Sequence, residues 1–226
     1  MVKQMFKMED IKPEVGSRIL HGTTTVAIKF KDGVVLAADK RATAGYYIAH
    51  KKVRKIAKID DRAALTISGL VADAQMLADI VKAEIEYYKL TANKSLTIKS
   101  MASILSNVIF SRARILPYIV QLIVAGYDSE PRIYTLDWFG TLTEEKYVAT
   151  GSGSPIAISI IESSYRDGLD LHEAVAIAVK AVNAAMKRDA ASGEGVDVVA
   201  VTKEGYREFS KEEIEKIVSS MGKEGL

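Results

Sequence analysis

Apolar residues along this chain switch between two periods, and the switches mark out its elements. The segment TTTVAIKFKDGVVLAAD, from Thr23 to Asp39, holds two β-branched, partly alternating runs around Asp32-Gly33, the short-range signal of a hairpin. RAALTISG predicts a third strand that ends at Gly69. From Ala74 the period lengthens: Leu77, Ala78, Val81, Ile85 and Tyr88 recur at helical spacing. Ile98, Met101, Ala102, Leu105 and Ile109 repeat that spacing in a second helix, which ends before Pro117. VQLIVAGYD is a nearly continuous apolar run, as expected of a strand covered on both faces. PRIYTLDWFGTLTEEKYVATG reads as a hairpin turning near Gly140. Pro155 opens an Ile-rich third helix. Asp170 and Glu173 cap a fourth, with Leu171, Val175, Ala178, Val182 and Ala185 on one face. VDVVAVTKEGYREF is a final hairpin around Glu204-Gly205, and Ser210 with Glu213 fits a capping box for the last helix.

Blocks of strands separated by pairs of helices predict an α+β packing, not alternating βαβ units. Strands buried on both faces point to two stacked sheets covered by helices. Upstream of Thr23 no period holds, and Pro13 and Gly16 break any element. The pattern therefore divides the chain into a leader, residues 1–22, and a compact domain, residues 23–226.

Composition narrows the class. The 226 residues are 48% hydrophobic, enough for a large core in one domain. Net charge is +2 and the Lys and Arg residues are spread along the chain, so nothing points to nucleic acid. The N-terminal residues mix both charge signs and lack the apolar run of roughly 7–15 residues that a secretory signal needs. No stretch approaches the ~20 apolar residues that span a bilayer. The expectation is a cytoplasmic protein with no membrane contact. The absence of Cys suits a reducing compartment, and it excludes disulfides, thiolate metal sites and a Cys nucleophile.

Most familiar catalytic sets fail. His21 lies in the leader, His50 in a polar loop and His172 at a helix start, and no nucleophile elbow or HExxH spacing exists. GSGSP resembles a phosphate loop without the strand and helix that such a loop requires. What remains is Gly22-Thr23-Thr24-Thr25. Three Thr residues at the head of a strand are ordinary β-formers. If the leader were removed, however, Thr23 would carry both a hydroxyl and an α-amine. The unperturbed pKa of such an amine, roughly 7.7–8.0, suits it to take the hydroxyl proton. Gly22 would let the preceding backbone bend toward that hydroxyl, so that attack on its carbonyl would be self-cleavage.

The surroundings of Thr23 decide between these readings. ADKRATAG, HKKVRKIAKI, TISGLVADAQ, TGSGSP and KRDAASG follow one another in this order. In these segments the chain resembles the β-type subunits of the archaeal 20S proteasome, N-terminal-nucleophile hydrolases of the threonine peptidase family, from Thr23 to the last helix. The α-type subunits carry an extra N-terminal helix, and residues 1–22 show no sign of one.

The resemblance implies a four-layer αββα sandwich of two stacked antiparallel sheets flanked by helices. It implies Thr23 as nucleophile, Asp39 and Lys55 as an ion pair beside it, and Ser152, Asp189 and Ser192 around the α-amine. Gly69 would be the oxyanion donor and Arg41 a structural support. Cleavage between Gly22 and Thr23 would remove the propeptide. Ala42, Val53, Ala57 and Ile67 would line an apolar pocket, implying cleavage after hydrophobic residues. No metal or other cofactor is implied. The implied partners are proteasome α subunits and other β subunits in stacked seven-membered rings, a regulatory ATPase acting through the α rings, and unfolded polypeptide substrates. Two alternatives stand beside this reading. One is a catalytically silent, structural β subunit of the same ring. The other is a different N-terminal-nucleophile hydrolase acting on small amides.

Overall fold

The structure is a computed structural model that describes residues 22–221; the rest of the proposed leader, residues 1–21, lies outside them. The chain opens with a hairpin, β1 (Thr25–Phe30) and β2 (Gly33–Asp39), then a small pair, β3 (Ala42–Ala44) and β4 (Tyr47–His50). A second hairpin, β5 (Ile56–Asp60) and β6 (Ala63–Gly69), leads into α1 (Val71–Ala92) and α2 (Ile98–Arg112). Strands β7 (Val120–Tyr127), β8 (Pro131–Leu136), β9 (Leu142–Glu144) and β10 (Tyr147–Thr150) follow. Helices α3 (Ser154–Ser164) and α4 (Leu171–Met186) precede β11 (Val196–Thr202), β12 (Gly205–Glu208) and α5 (Lys211–Met221).

The strands form two antiparallel five-stranded sheets, in the orders β10-β1-β2-β11-β12 and β5-β6-β7-β8-β9. Strand alternation sorts the apolar residues into three layers. Val26, Ile28, Val35, Ala37, Val198 and Ala200 of the first sheet pack against Val175, Ala178 and Val182 of α4. Ala27, Val34, Leu36, Val199 and Val201 face the second sheet, where Ala64, Ile123, Ala125 and Ile133 meet them. The other face of the second sheet, with Leu65, Leu122 and Val124, is covered by Leu77, Val81, Ile85, Met101 and Leu105 of α1 and α2. Helices, two sheets and helices make the four-layer αββα sandwich.

The helix boundaries follow local chemistry. Asp170 and Glu173 form a reciprocal capping box at the start of α4, and Ser210 with Glu213 does the same before α5. Pro155 sits in the first turn of α3, where its missing N–H leaves no bond unmade. Helix α1 starts at Val71, ahead of the first apolar repeat at Ala74, and Tyr88 is exposed because the buried stripe ends at Ile85.

The strand pattern needs four corrections. Phe30 pairs with Gly33, so the first turn is Lys31-Asp32; Thr202 pairs with Gly205, so the last turn is Lys203-Glu204. Strands β3, β4 and β5 carry polar residues among their apolar ones and escape a search by alternation, and His50 ends β4 instead of lying in a loop. The run from Pro131 to Gly151 is more than a hairpin: β9 stays beside β8, but β10 crosses to the first sheet and pairs with β1.

Leu36 is fully buried between the sheets. Leu36→Ala is expected to destabilise the chain by about 2–5 kcal/mol, read as a lower urea midpoint at unchanged slope.

Candidate active site

The ends of β1, β2 and β6 converge with the loop before β11, and there the layers turn from apolar to polar. Asp39, the last residue of β2, is 0% exposed and accepts four hydrogen bonds. Its Oδ1 takes Lys55 Nζ at 2.7 Å and the Thr24 amide at 2.9 Å. Its Oδ2 takes the amides of Gly193 at 2.9 Å and Arg41 at 3.1 Å. Lys55, itself 4% exposed, is held by its own carbonyl, which accepts the Ile67 amide at 2.8 Å. Burial pushes the Lys55 ammonium below its ordinary pKa, and the charge and hydrogen bond of Asp39 oppose that shift.

Thr23 lies next to this pair and is 4% exposed. Its hydroxyl donates to the carbonyl oxygen of Gly22 at 2.7 Å, across the peptide bond that self-cleavage would break. Its amide donates to Ser152 Oγ at 3.2 Å, and Ser152 Oγ in turn donates to Asp189 Oδ2 at 2.6 Å. Ser192 Oγ reaches the same carboxylate oxygen at 2.6 Å and meets Thr24 Oγ1 at 2.7 Å. The structure thus brings Thr23, Ser152, Asp189 and Ser192 into one network, with Asp39 and Lys55 beside it.

Arg41 braces the loop that carries Asp189 and Ser192. Its Nη1 donates to the Ala190 carbonyl at 2.8 Å and its Nη2 to Glu194 Oε1 at 3.2 Å, while its buried Nε has no partner. A side chain at Gly193 would sit 2.5 Å from the guanidinium, so only glycine admits the arginine there. At Gly22 a Cβ would lie 1.5 Å from the Ala191 methyl. Gly22 is therefore needed for this close approach as much as for backbone freedom. Sequence reasoning missed Thr24, Ala191, Gly193 and Glu194. The glycine closing KRDAASG was the available signal for a tight contact.

Thr23 and Lys55 open onto a cleft of about 190 Å³, also lined by Ala42, Val53, Ile67, Gly69, Val71 and Gln75. Of the expected lining positions, Ala57 is not there; it pairs with Leu65 in the β5-β6 ladder. Val71 and Gln75 went unnoticed, although four residues apart on the first turns of α1 they share one helix face. Gly69 at the cleft has φ +103, and a Cβ there would lie 2.2 Å from the Ile119 carbonyl oxygen. His50 and His172 are both exposed. Among the described residues, no helix is long and apolar enough to cross a membrane.

A family model described as "Proteasome subunit" matches residues 19–201. The chain is 55% identical over 189 residues to "Proteasome subunit beta 2" of Ignicoccus hospitalis, covering 84% of this chain and 89% of that one. It is 54% identical to "Proteasome subunit beta 2" of Hyperthermus butylicus, covering 86% and 92%. It is 47% identical to "Proteasome subunit beta" of Archaeoglobus profundus, covering 92% and 97%.

Lys55→Ala would leave the Asp39 carboxylate buried with amide donors alone. The expected cost is about 3 kcal/mol of folding stability, measured by chemical denaturation. A loss below about 1 kcal/mol, the value of an exposed pair, would contradict the buried geometry.

Proposed function

Because the chain belongs to the proteasome subunit family, as a β subunit of the core particle, we propose that it is a catalytic member: a threonine-type endopeptidase with Thr23 as nucleophile. The observation that carries this reading is the Thr23 hydroxyl held 2.7 Å from the Gly22 carbonyl oxygen beside the buried Lys55–Asp39 pair. A lysine buried at 4% exposure that lines the same cleft as Thr23 favours this reading over a silent ring member.

Maturation follows from the same contact. Thr23 Oγ attacks the Gly22 carbonyl carbon, the C–N bond breaks as the hydroxyl proton passes to the Thr23 nitrogen, and an ester forms on the former hydroxyl oxygen. Water then hydrolyses the ester, releasing residues 1–22 and leaving Thr23 with an α-amine. In turnover that amine takes the hydroxyl proton as Oγ attacks a substrate carbonyl, then returns it to the departing amine. Lys55 stabilises the oxygen as it gains negative charge, and Asp39 holds Lys55 in place. Ser152, Asp189 and Ser192 orient the amine and set its proton affinity. Gly69, at the end of β6 and two residues before α1, would supply the oxyanion donor, a role in which a single donor is worth ~2.7–4 kcal/mol. Ala42, Val53, Ile67 and Val71 make most of the cleft wall apolar, with Arg54 and Gln75 as polar members, which favours cleavage after hydrophobic residues.

The chain assembles with other subunits into the core. The finer proposal is stacked seven-membered rings of α and β subunits in the cytoplasm, fed with unfolded polypeptide by an ATPase. Confinement in a chamber would let a protease of broad specificity work safely there.

Hydrolysis of a hydrophobic fluorogenic peptide by the particle assembled with an α-type partner tests the reading. Thr23→Ala should abolish it, and full activity in that variant would remove Thr23 as nucleophile. A protonated amine cannot accept the hydroxyl proton, so kcat/KM should fall about tenfold per pH unit on the acid side of that amine's titration.

A further inference from the structure

The nucleophile and the oxyanion position sit on different sheets. Thr23 precedes β1 of the first sheet, and Gly69 ends β6 of the second. The layer between the sheets is alanine, valine, leucine and isoleucine through its middle. At the end nearest Thr23 it changes character. Thr25 shares the inter-sheet face of β1 with Ala27, Thr150 that of β10 with Val148, and Thr66 and Ser68 that of β6 with Ala64. These four residues are 0%, 5%, 0% and 2% exposed, respectively.

Their hydroxyls form a ladder between the sheets. Thr25 Oγ1 donates to Thr66 Oγ1 at 3.2 Å, and Ser68 Oγ lies 3.1 Å from Thr150 Oγ1. Thr25 and Thr150 meet within the first sheet at 2.7 Å. Gln121 of β7 adds a further tie: its Oε1 accepts the Gly151 amide at 3.2 Å, and its carbonyl accepts Ser68 Oγ at 2.7 Å. Each rung adjoins the site. Thr25 is two residues from Thr23, Thr150 two from Ser152, and Ser68 is bonded to Gly69.

Mutual satisfaction of buried hydroxyls does not by itself explain the choice. Valine or alanine would fill these places, as they do along the rest of the layer, with no polar group to desolvate. Apolar contacts tolerate small sliding of one sheet over the other, whereas hydrogen bonds fix distance and direction. We infer that Thr25, Thr66, Ser68 and Thr150 are positioning residues that set the spacing between the Thr23 hydroxyl and the Gly69 amide across the two sheets. The inference rests on Thr23 being the nucleophile and adds a requirement that the family of site residues does not contain. Binding of the substrate side chain uses the cleft wall, so the ladder acts on kcat and leaves KM alone.

The test is the isosteric set Thr25→Val, Thr66→Val and Thr150→Val, singly and combined, with Ser68→Ala, in the full chain assembled with an α-type partner. Peptide hydrolysis and melting temperature are measured together. The combined variant should lose about tenfold or more in kcat, with KM within about twofold and an unlowered melting temperature. Thr25→Ser and Thr150→Ser, which keep the hydroxyl, should restore most of it. If the combined variant does not assemble, the single Thr25→Val and Ser68→Ala variants decide by the same criterion. An active parent whose variants match it in kcat would overturn the ladder alone. An inactive parent would overturn the nucleophile assignment and the ladder with it.

Discussion

The site depends on one buried carboxylate. Asp39 cannot lie charged at 0% exposure without partners, and it finds them in four different segments: the residue after Thr23, the Arg41 turn, Lys55 and the loop at Gly193. Each donor it gathers brings a residue of the proposed site along. The Thr24 amide places Thr23, Lys55 brings its charge, and the Gly193 amide carries Ser192 and Asp189 into reach. A four-coordinate buried anion therefore works as a local organising centre, and the reach of a hydrogen bond sets the dimensions of the site.

The sandwich supplies the stiffness that this arrangement needs. Three apolar layers pack at the density of a solid interior, so the strand ends that hold Asp39, Thr23 and Gly69 move as part of two rigid sheets. Local features absorb the remaining strain. Glu194 adopts φ +69, a conformation costly for a residue with a side chain, and its carboxylate bonds Arg41. Arg41 ties that strained turn to the end of β2, so the loop bearing Ser192 is braced at both Gly193 and Glu194.

Much of this was legible in the chain itself because the elements are strongly periodic. The five apolar positions read for α2 are all buried, and the Asp170–Glu173 box is made by side chains three residues apart. What escaped was whatever depends on another segment. The crossing of β10 to the first sheet leaves no local signal, since β9 and β10 are separated by only Glu145 and Lys146. Asp39 and Lys55 could be singled out only through a family likeness, because an isolated Asp or Lys usually lies on the surface. Ala57, expected in the same pocket, is not among the residues that line the cleft, whereas Val71 and Gln75 are. The threonine ladder was hidden for a simpler reason: threonine is a good strand former, and only the stacking of the sheets shows its hydroxyls facing one another.

The central claim is that this geometry exists to let Thr23 cut the chain before itself. The most direct test is the intact mass of the chain recovered from a particle assembled with an α-type partner. The account predicts the mass of a polypeptide beginning at Thr23. A full-length chain within an otherwise complete particle would contradict it and leave the buried Lys55–Asp39 pair without a catalytic purpose.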